Sequence, residues 1–264
     1  MSKSDFHMHT VFCDGKNTPE EMVRAAMEKG MTAVGISGHS YTWFDESYCM
    51  AKEKLPAYRA EIARLKEAYG DRIRVLCGIE QDFYSEEPAV GYDYVIGSVH
   101  YFRLGDEYVP VDEGNENHRR AAGKYFGGDL YALAEEYYRT VGLLPEKTGC
   151  DIVGHFDVLT KYYDSDPELD VTHPRYRAAW RAAADKLIAS GVPFELNTGA
   201  ISRGVRKDPY PSEEILAYLG QKGAPVIFSS DSHAAPNILF GFDRLQALAE
   251  TYGLRVVSLS PDRF

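Results

Sequence analysis

Short apolar runs alternate with longer amphipathic segments along most of this 264-residue chain. The apolar runs are typical of strands buried on both faces and cover residues 4–10, 32–37, 74–80, 94–100, 151–155, 193–197 and 225–230. Helical periodicity marks residues 18–30, 52–69, 129–141, 173–190 and 212–222. At the first helix, Thr18, Pro19 and Glu21 match an N-cap, a first-turn proline and a capping box. The alternation predicts a parallel sheet covered by helices.

Seven such strands, with a further candidate at residues 255–259, favour closure of the sheet into a barrel. An open, doubly wound sheet is the alternative, although no GxGxxG follows the first strand to indicate dinucleotide binding. Residues 104–128 are rich in glycine, asparagine and charge and predict an insertion or loop over one barrel end. Because no internal repeat or linker is found, residues 1–264 are expected to form one α/β domain.

The composition, with 44% hydrophobic and 26% charged residues, is that of a soluble globular protein with a sizeable core. No run approaches the ~20 apolar residues of a membrane span and no signal-peptide pattern is found, so we expect a cytoplasmic protein. A formal net charge of −11 argues against a nucleic-acid-binding face. The four cysteines lack a CxxC pair, which fits reduced thiols; Cys13 lies beside a candidate site.

Residues that could bind a metal recur where the predicted strands end. His7 and His9 lie two residues apart on the first strand, so both project from one face and could bind the same cation. The later strands end at or just before His39, Glu80, His100, His155, Asp231 and His233. The carboxyl ends of barrel strands form one rim, where residues distant in sequence converge. The pattern predicts a metal-binding active site on that rim.

Imidazoles and carboxylates without thiolates suit zinc, iron or manganese and leave positions open for water and substrate. A catalytic zinc uses about three protein ligands, and the set at the strand ends is larger. We therefore expect more than one divalent ion, with a carboxylate such as Glu80 able to bridge two of them. Two ions ~3.5–4 Å apart are a recurrent device for displacement at phosphorus.

Several of these segments, in order along nearly the whole chain, resemble the polymerase and histidinol phosphatase (PHP) family. The matching segments are His7-Met8-His9 with Asp14-Gly15, Ser37-Gly38-His39, Glu80, His100, Gly154-His155 and Asp231-Ser232-His233. Chain size and the segments 78–80, 96–100 and 154–157 are most similar to stand-alone members that act on histidinol phosphate. The resemblance implies a distorted, TIM-like (β/α)7 barrel with a trinuclear site, and hence two to three divalent ions.

The resemblance also assigns ligands. It implies a first metal bound by His7, His9, Glu80 and Asp231, and a second bound by Glu80, His100 and His155. The third metal would be bound by Asp14, His39 and His233. Asp14 stands where some relatives have histidine, and Gly38 stands where many have aspartate before the histidine. Glu80, Asp231 and His233 are the expected catalytic residues.

The implied activity is hydrolysis of L-histidinol phosphate to L-histidinol and phosphate, a step of histidine biosynthesis. A hydroxide held between the first two metals would attack phosphorus in line, so no side-chain nucleophile is required. Arg203 and, as second choice, Lys161 are expected to bind the phosphate dianion. In the long insertion, the candidates for contact with the substrate's amine or imidazole are Glu113, Glu116, His118 and Arg119.

Three other functions are compatible with parts of this pattern. A phosphodiesterase or exonuclease would use the same site, but the acidic chain lacks an evident module for a nucleic-acid partner. A metal-dependent amidohydrolase also carries His-x-His on its first strand, but no strand-end lysine here is suited to bridge metals. A non-catalytic PHP-like domain would have lost ligands that this chain keeps. The expected partner is therefore a small phosphorylated substrate, not nucleic acid or a membrane.

Overall fold

A parallel sheet is the centre of the protein, whose computed structural model describes residues 4–259. The strands in that range are β1 Ser4–Asp5, β2 Ala33–Ile36, β3 Arg74–Asp82, β4 Tyr94–Ser98, β5 Tyr101–Leu104, β6 Glu107–Pro110, β7 Ile152–Val153, β8 Phe194–Asn197, β9 Pro225–Ser229 and β10 Arg255–Val256. Eight of them form one sheet in the order β1-β2-β3-β4-β7-β8-β9-β10, while β5 and β6 pair separately as an antiparallel hairpin.

The sheet closes through residues that follow β1 and β9. Met8 and Ser232 form a parallel bridge, in which the His9 N–H donates to Ser232 O (2.8 Å) and the Ser232 N–H donates to His7 O (3.1 Å). At its amino end, β9 pairs with β10 instead. The predicted barrel is therefore confirmed in a distorted form, and the open sheet is not observed. The candidate strand at residues 255–259 forms over Arg255–Val256, which raises the count of sheet strands from seven to eight.

Helices connect most of the strands. They are α1 Pro19–Glu28, α2 Leu55–Tyr69, α3 Asn115–Tyr125, α4 Leu130–Val141, α5 Leu144–Thr148, α6 Pro174–Ser190, α7 Gly199–Ser202, α8 Glu213–Gln221 and α9 Phe242–Tyr252. The capping box of α1 is confirmed, because the Thr18 side chain accepts the Glu21 N–H and the Glu21 carboxylate accepts the Thr18 N–H. Between residues 4 and 259 there is no helix long and apolar enough to cross a membrane.

The prediction that residues 104–128 are an insertion or loop is wrong as far as a simple loop is concerned. This segment contains the second hairpin strand β6 and helix α3. The hairpin strands are only four residues long, which is too short for a clear alternation to show in the sequence. Helix α3 buries two polar residues, Asn115 and His118, beside Ala121 and Ala122. A search for apolar periodicity therefore misses this helix. Helix α9 was also not predicted.

The inside of the barrel is apolar towards the amino ends of the strands and polar towards their carboxyl ends. One buried cluster contains Phe6, Ala33, Leu76, Tyr94, Ile96, Ile152, Ile227 and Leu259. Glu80 follows Leu76 by four residues and Ser98 follows Ile96 by two, so each projects to the same side as the cluster. The apolar cluster therefore lies directly beneath the polar residues at the carboxyl ends of the strands.

Candidate metal centre

Glu80, near the carboxyl end of β3, is the centre of the site and is 1% exposed. Its Oε2 lies 2.8 Å from His39 Nδ1, 3.2 Å from His7 Nε2 and 3.5 Å from His9 Nε2. Its Oε1 lies 2.9 Å from His155 Nε2 and 3.3 Å from His100 Nε2. The structure thus brings five of the predicted histidine ligands, from the ends of four strands, around one carboxylate.

Asp14, Asp231 and His233 extend the centre on the side of His9. Asp231 Oδ1 lies 3.3 Å from His9 Nε2, and Asp14 Oδ2 lies 3.1 Å from His233 Nε2. Among residues 4–259, three overlapping groups have ligand atoms within 4.8 Å of one another: His7-His9-Glu80, His39-Glu80-His100 and His9-Asp14-His39-His233. His9 and His39 therefore each lie between two groups, whereas the resemblance assigned each to one metal.

Two glycines permit the backbone to bring these acids into place. A Cβ on Gly15 would lie 2.4 Å from the backbone of His9 and Thr10, so the turn that presents Asp14 packs directly against β1's continuation. A Cβ on Gly199 would lie 2.5 Å from Asp231 Oδ2. Asp231 itself has a φ of 48°, a left-handed conformation that aspartate tolerates better than most residues. A side chain at either glycine would displace a candidate ligand.

Two buried acids that the sequence analysis missed orient the histidines. Glu195 in β8 is fully buried and its Oε1 lies 2.6 Å from His7 Nδ1, while its Oε2 accepts the His155 N–H at 3.0 Å. Asp82 Oδ2 lies 3.2 Å from His100 Nδ1 and accepts the His100 N–H. A carboxylate can only accept, so the contacts to the rings of His7 and His100 place a proton on each Nδ1 and direct each Nε2 towards Glu80.

The sequence carried a signal for both acids. Glu195 lies between Phe194 and Leu196 in a buried strand, where an unpaired carboxylate would be costly. Asp82 follows Glu80 by two residues and so projects to the same side of β3. Glu195 shows that an acidic residue inside an otherwise apolar strand is a candidate for orienting a metal ligand, whereas Asp82 ends its strand beside Glu80.

The electrostatics prepare Glu80 and His9, but not His7, for metal binding. Burial lowers the pKa of His7, but Glu195, Glu80 and Asp231 outweigh burial and raise this pKa well above its usual value, so a cation bound there would displace a proton. Burial raises the pKa of Glu80, but the imidazoles of His39, His7 and His100 outweigh burial and hold this pKa well below its usual range. Burial, together with His233 and His39, lowers the pKa of His9 to about 3, so its ring is neutral. Burial also raises the pKa of the Cys13 thiol to about 12, and its Sγ lies 3.6 Å from His9 Nδ1 as a neighbour.

The residues present fit divalent metal ions. His7 Nε2, His9 Nε2 and Glu80 Oε2 are buried and none has a hydrogen-bond partner of acceptable geometry, although all three face one another. Burying polar atoms without hydrogen-bond partners costs free energy unless another group satisfies them. Two imidazole nitrogens and a carboxylate oxygen are donors that zinc, iron and manganese accept. A cation between these atoms would satisfy all of them.

Two cationic side chains lie beside the centre, as predicted for a phosphate site. Arg203 Nη1 donates to Asp231 O (3.1 Å) and its Nη2 lies 3.3 Å from Asp231 Oδ2. Lys161 Nζ lies 2.8 Å from Asp112 Oδ2. Burial raises the pKa of Asp112, but Lys161 and His100 outweigh burial and hold it at about 2, so Asp112 is ionised beside the centre.

A cavity of about 550 Å³ opens above Glu80. Its lining comprises Asp14, His39, Tyr48, Glu80, His100, Tyr101, Asp112, Glu113, His155, Val158, Lys161, Tyr162, Arg203, Tyr210, Asp231 and His233. His118 and Arg119 do not line it: the His118 ring contacts Glu168 and Val111 O, and Arg119 pairs with Asp166. The expectation that these two residues meet the substrate is corrected by their placement.

The chain is similar to known proteins in both sequence and fold. The family model of the PHP domain matches residues 5–199. A "Probable histidinol-phosphatase" of Deinococcus radiodurans is 30% identical over 264 residues, covering 96% of this chain and 95% of that protein. The histidinol-phosphatase of Bacillus subtilis is 24% identical, covering 92% and 98%. The crystal structure of histidinol phosphate phosphatase from Lactococcus lactis, complexed with zinc, L-histidinol and phosphate, aligns with a TM-score of 0.73 at 21% identity over 97% and 95%.

A distorted barrel with a cluster of imidazoles and carboxylates on its carboxyl rim defines a metal-dependent hydrolase of the barrel class. Within that class, the family model covers well over half of the chain, and the full-length match to the Deinococcus protein agrees with it. The chain belongs to the PHP family.

Proposed function

We propose that this protein is a metal-dependent phosphomonoesterase that hydrolyses L-histidinol phosphate to L-histidinol and phosphate. The observation that carries the proposal is the convergence of five imidazoles on the two oxygens of Glu80, next to Arg203 and Lys161. The full-length relatives named as histidinol-phosphatases support the choice of substrate. The Lactococcus enzyme has zinc, L-histidinol and phosphate bound in the same fold.

The proposed centre takes two to three divalent ions. His7, His9, Glu80 and Asp231 would hold one, Glu80, His100 and His155 a second, and Asp14, His39 and His233 a third, with His9 and His39 close enough to be shared. When bound, the ions lower the pKa of coordinated water to supply a hydroxide nucleophile near neutral pH and offset charge on the phosphoryl oxygens. Glu195 and Asp82 would keep the Nε2 atoms of His7 and His100 aimed at that charge.

Arg203 and Lys161 would bind the phosphate. Arg203 is fixed by Asp231, so its guanidinium stands at the edge of the metal centre without freedom to turn away. A guanidinium binds a phosphate through two donors at once, which orients the group as well as neutralising it. Lys161 lacks the two-donor geometry of a guanidinium and is paired with Asp112 at 2.8 Å, closer than the 3.3 Å between Arg203 and Asp231, so its contribution to phosphate binding is the smaller of the two.

The rest of the cavity suits a cationic, partly aromatic alcohol. Glu113 lines the cavity and forms no ion pair within residues 4–259, so its carboxylate is available for the amine of histidinol. Tyr48, Tyr101 and Tyr162 supply ring surface on the same cavity, and aromatic faces attract cations and pack against imidazoles. Glu113 is thus the retained member of the residues expected to meet the amine.

A substrate panel tests the proposal. Metal-loaded protein is assayed for phosphate release from L-histidinol phosphate and an aryl phosphate, and for cleavage of an aryl phosphodiester and single-stranded DNA. The proposal predicts that kcat/KM is highest on L-histidinol phosphate. Equal rates on both monoesters would reduce the function to a general phosphatase, and preference for the diester or DNA would overturn it.

A further inference from the structure

His118 in α3 is a buried histidine that serves neither the metal centre nor the cavity lining, and it is 1% exposed. Its Nε2 lies 2.6 Å from the carbonyl oxygen of Val111. Its Nδ1 makes a short contact with the Glu168 carboxylate, whose side chain is 6% exposed. The carbonyl oxygen can only accept, so Nε2 carries a proton and donates it to Val111 O. A further proton is shared between Nδ1 and the Glu168 carboxyl group, so both ring nitrogens of His118 are engaged in buried hydrogen bonds.

The two acceptors belong to the two segments that form one wall of the active-site cavity. Val111 follows β6, its N–H donates to His100 O at 2.8 Å, and the next two residues, Asp112 and Glu113, line the cavity. Glu168 belongs to the segment 161–168, whose first residues, Lys161 and Tyr162, line the cavity from the other side. His118 therefore connects the backbone of Val111, just before Asp112, to the segment 161–168.

Further contacts join the same two segments but differ in kind. Lys161 pairs with Asp112 at 2.8 Å, and the Tyr162 hydroxyl donates to Asp112 O at 3.1 Å. Arg119 pairs with Asp166 at 2.9 Å, with both side chains 48% exposed. Exposed ion pairs contribute little to stability, whereas a buried hydrogen bond that loses one partner costs more. The His118 contacts are the buried part of this junction.

We propose that His118 is a positioning residue for the phosphate and amine contacts of the cavity. Through its two ring nitrogens, His118 holds the Val111 carbonyl, and with it Asp112 and Glu113, at a fixed distance from Lys161. Without this connection, the wall keeps its residues, but the position of the Asp112–Lys161 pair relative to the metal centre is no longer fixed. The inference rests on the proposed function for its substrate, but the wall itself can be tested by phosphate binding alone.

A role confined to folding would make different predictions. Loss of a purely structural histidine would lower the melting temperature and the amount of active protein, while the molecules that fold would keep their KM. A positioning role raises KM and weakens phosphate binding in folded, metal-loaded protein. The metal content and kcat should change little, because His118 contacts none of the candidate metal ligands through its side chain.

The test compares H118N, H118Q and E168Q with H173N as a matched histidine control. His173 caps α6, accepts the Arg175 N–H and stacks on Tyr131 away from the cavity. Glutamine places an amide nitrogen near the position of Nε2 and keeps the bond to Val111, whereas asparagine mimics Nδ1 and keeps only Glu168. For each metal-loaded variant we would measure metal per chain, kcat and KM for L-histidinol phosphate, and the Kd of inorganic phosphate by calorimetry.

We expect H118N to raise KM and the phosphate Kd about tenfold, since it breaks the buried hydrogen bond to Val111 O and leaves that carbonyl without its partner. H118Q and E168Q should raise them about threefold, and H173N should match the native protein. KM and Kd for H118N within twofold of those for H173N would overturn the proposal, as would a parallel loss of metal and kcat. If native protein fails to turn over L-histidinol phosphate, the proposed function fails, and the phosphate Kd still decides the role of His118.

Discussion

The metal rim and the opposite wall of the same cavity are built in different ways. Except for Asp14, which lies in a turn, the ligands of the rim lie at or within a few residues of strand ends, so the register of one parallel sheet sets their relative positions. The wall consists of the residues after β6 and the segment 161–168, which no strand of the sheet positions. Side-chain contacts such as Lys161–Asp112 and His118–Glu168 hold it together instead.

The two ways of building the cavity suit two different roles, metal binding at the rim and substrate recognition at the wall. A centre that binds several cations needs its donors placed to within a fraction of an ångström, and a closed sheet supplies that precision. A wall that recognises the alcohol part of a substrate can be changed without disturbing the sheet. Damage to the rim should therefore appear as lost metal and lost kcat, and damage to the wall as a higher KM with metal retained.

The largest expected effect comes from Glu80→Gln. An amide in place of this carboxylate removes the charge that five imidazoles face, so the centre should lose at least one ion per chain. We expect kcat/KM to fall by about 10³-fold or more, since metal ions supply several kcal/mol to the transition state. Metal analysis and phosphate release measure both. Retention of native metal content together with more than half of the activity would contradict the assignment of Glu80.

Glu195→Gln tests whether the buried orienting acid belongs with the rim. The amide keeps the shape but no longer demands the proton of His7 Nδ1, so the ring can present the wrong tautomer to the metal. Loss of an orienting partner of this kind reduces metal affinity by about 10- to 100-fold. Competition with a chelator of known affinity measures the change. A metal affinity equal to that of the native protein would place Glu195 outside the metal centre.

Arg203→Ala lies between the two regions, because Arg203 contacts Asp231 but faces the cavity. Removal of a guanidinium that binds phosphate should raise KM by about 10- to 50-fold while metal content is retained. Steady-state kinetics with L-histidinol phosphate, and the Kd of inorganic phosphate, provide the measurement. Lys161→Ala is the matched comparison and should have a smaller effect, because an ammonium lacks the two-donor geometry of a guanidinium and Lys161 is the more tightly paired of the two cations. The reverse order would reassign the phosphate site.

Glu113→Gln addresses the wall alone. The variant loses an unpaired carboxylate on the cavity lining, so KM for L-histidinol phosphate should rise about fivefold, in line with one exposed charged contact. KM for an aryl phosphate, which carries no amine, should stay the same. An equal rise for both substrates would mean that Glu113 acts on the phosphate end.

The smallest expected effect is a pH dependence of stability at the wall. The pKa of Asp112 in the folded protein is about 2, below its ordinary value of 3.8, so the pairing of Asp112 stabilises the fold above pH 3.8. That contribution is lost as the pH falls through 3.8 towards 2. In metal-free protein, the difference in unfolding free energy between native and Asp112→Asn should be about 1 kcal/mol at pH 6 and should shrink below pH 4. A difference that grows on acidification would contradict the depressed pKa.

The rim could be predicted from the sequence because strand ends are visible in it. The period of two placed His7 and His9 on one face, and every later ligand except Asp14 followed an apolar run, so a closed parallel sheet had to bring them together. Asp14 was assigned only by the resemblance to the PHP family. What the sequence could not supply was the sharing of His9 and His39 between neighbouring groups. That sharing depends on side-chain rotation in three dimensions.

Little of the wall could be predicted from the sequence. His118 was expected to meet the substrate because a histidine in a polar insertion resembles a binding residue. Its partner Glu168 lies 50 residues away on a segment with no periodic pattern. Contacts between two irregular segments depend on how each packs against the barrel, which no local pattern encodes. The same reason explains why helix α3, with a polar buried face, was missed.

The bridge between Met8 and Ser232 has a consequence for synthesis of the protein. His7 and His9 follow β1, whereas Asp231 and His233 follow β9, so the ribosome makes all the intervening strands and helices between these two parts of the centre. A growing chain therefore cannot assemble the proposed ligands His7, His9, Glu80 and Asp231 until β9 and the residues after it have been made. A fragment that stops before residue 231 would carry both early histidines without the carboxylate they face.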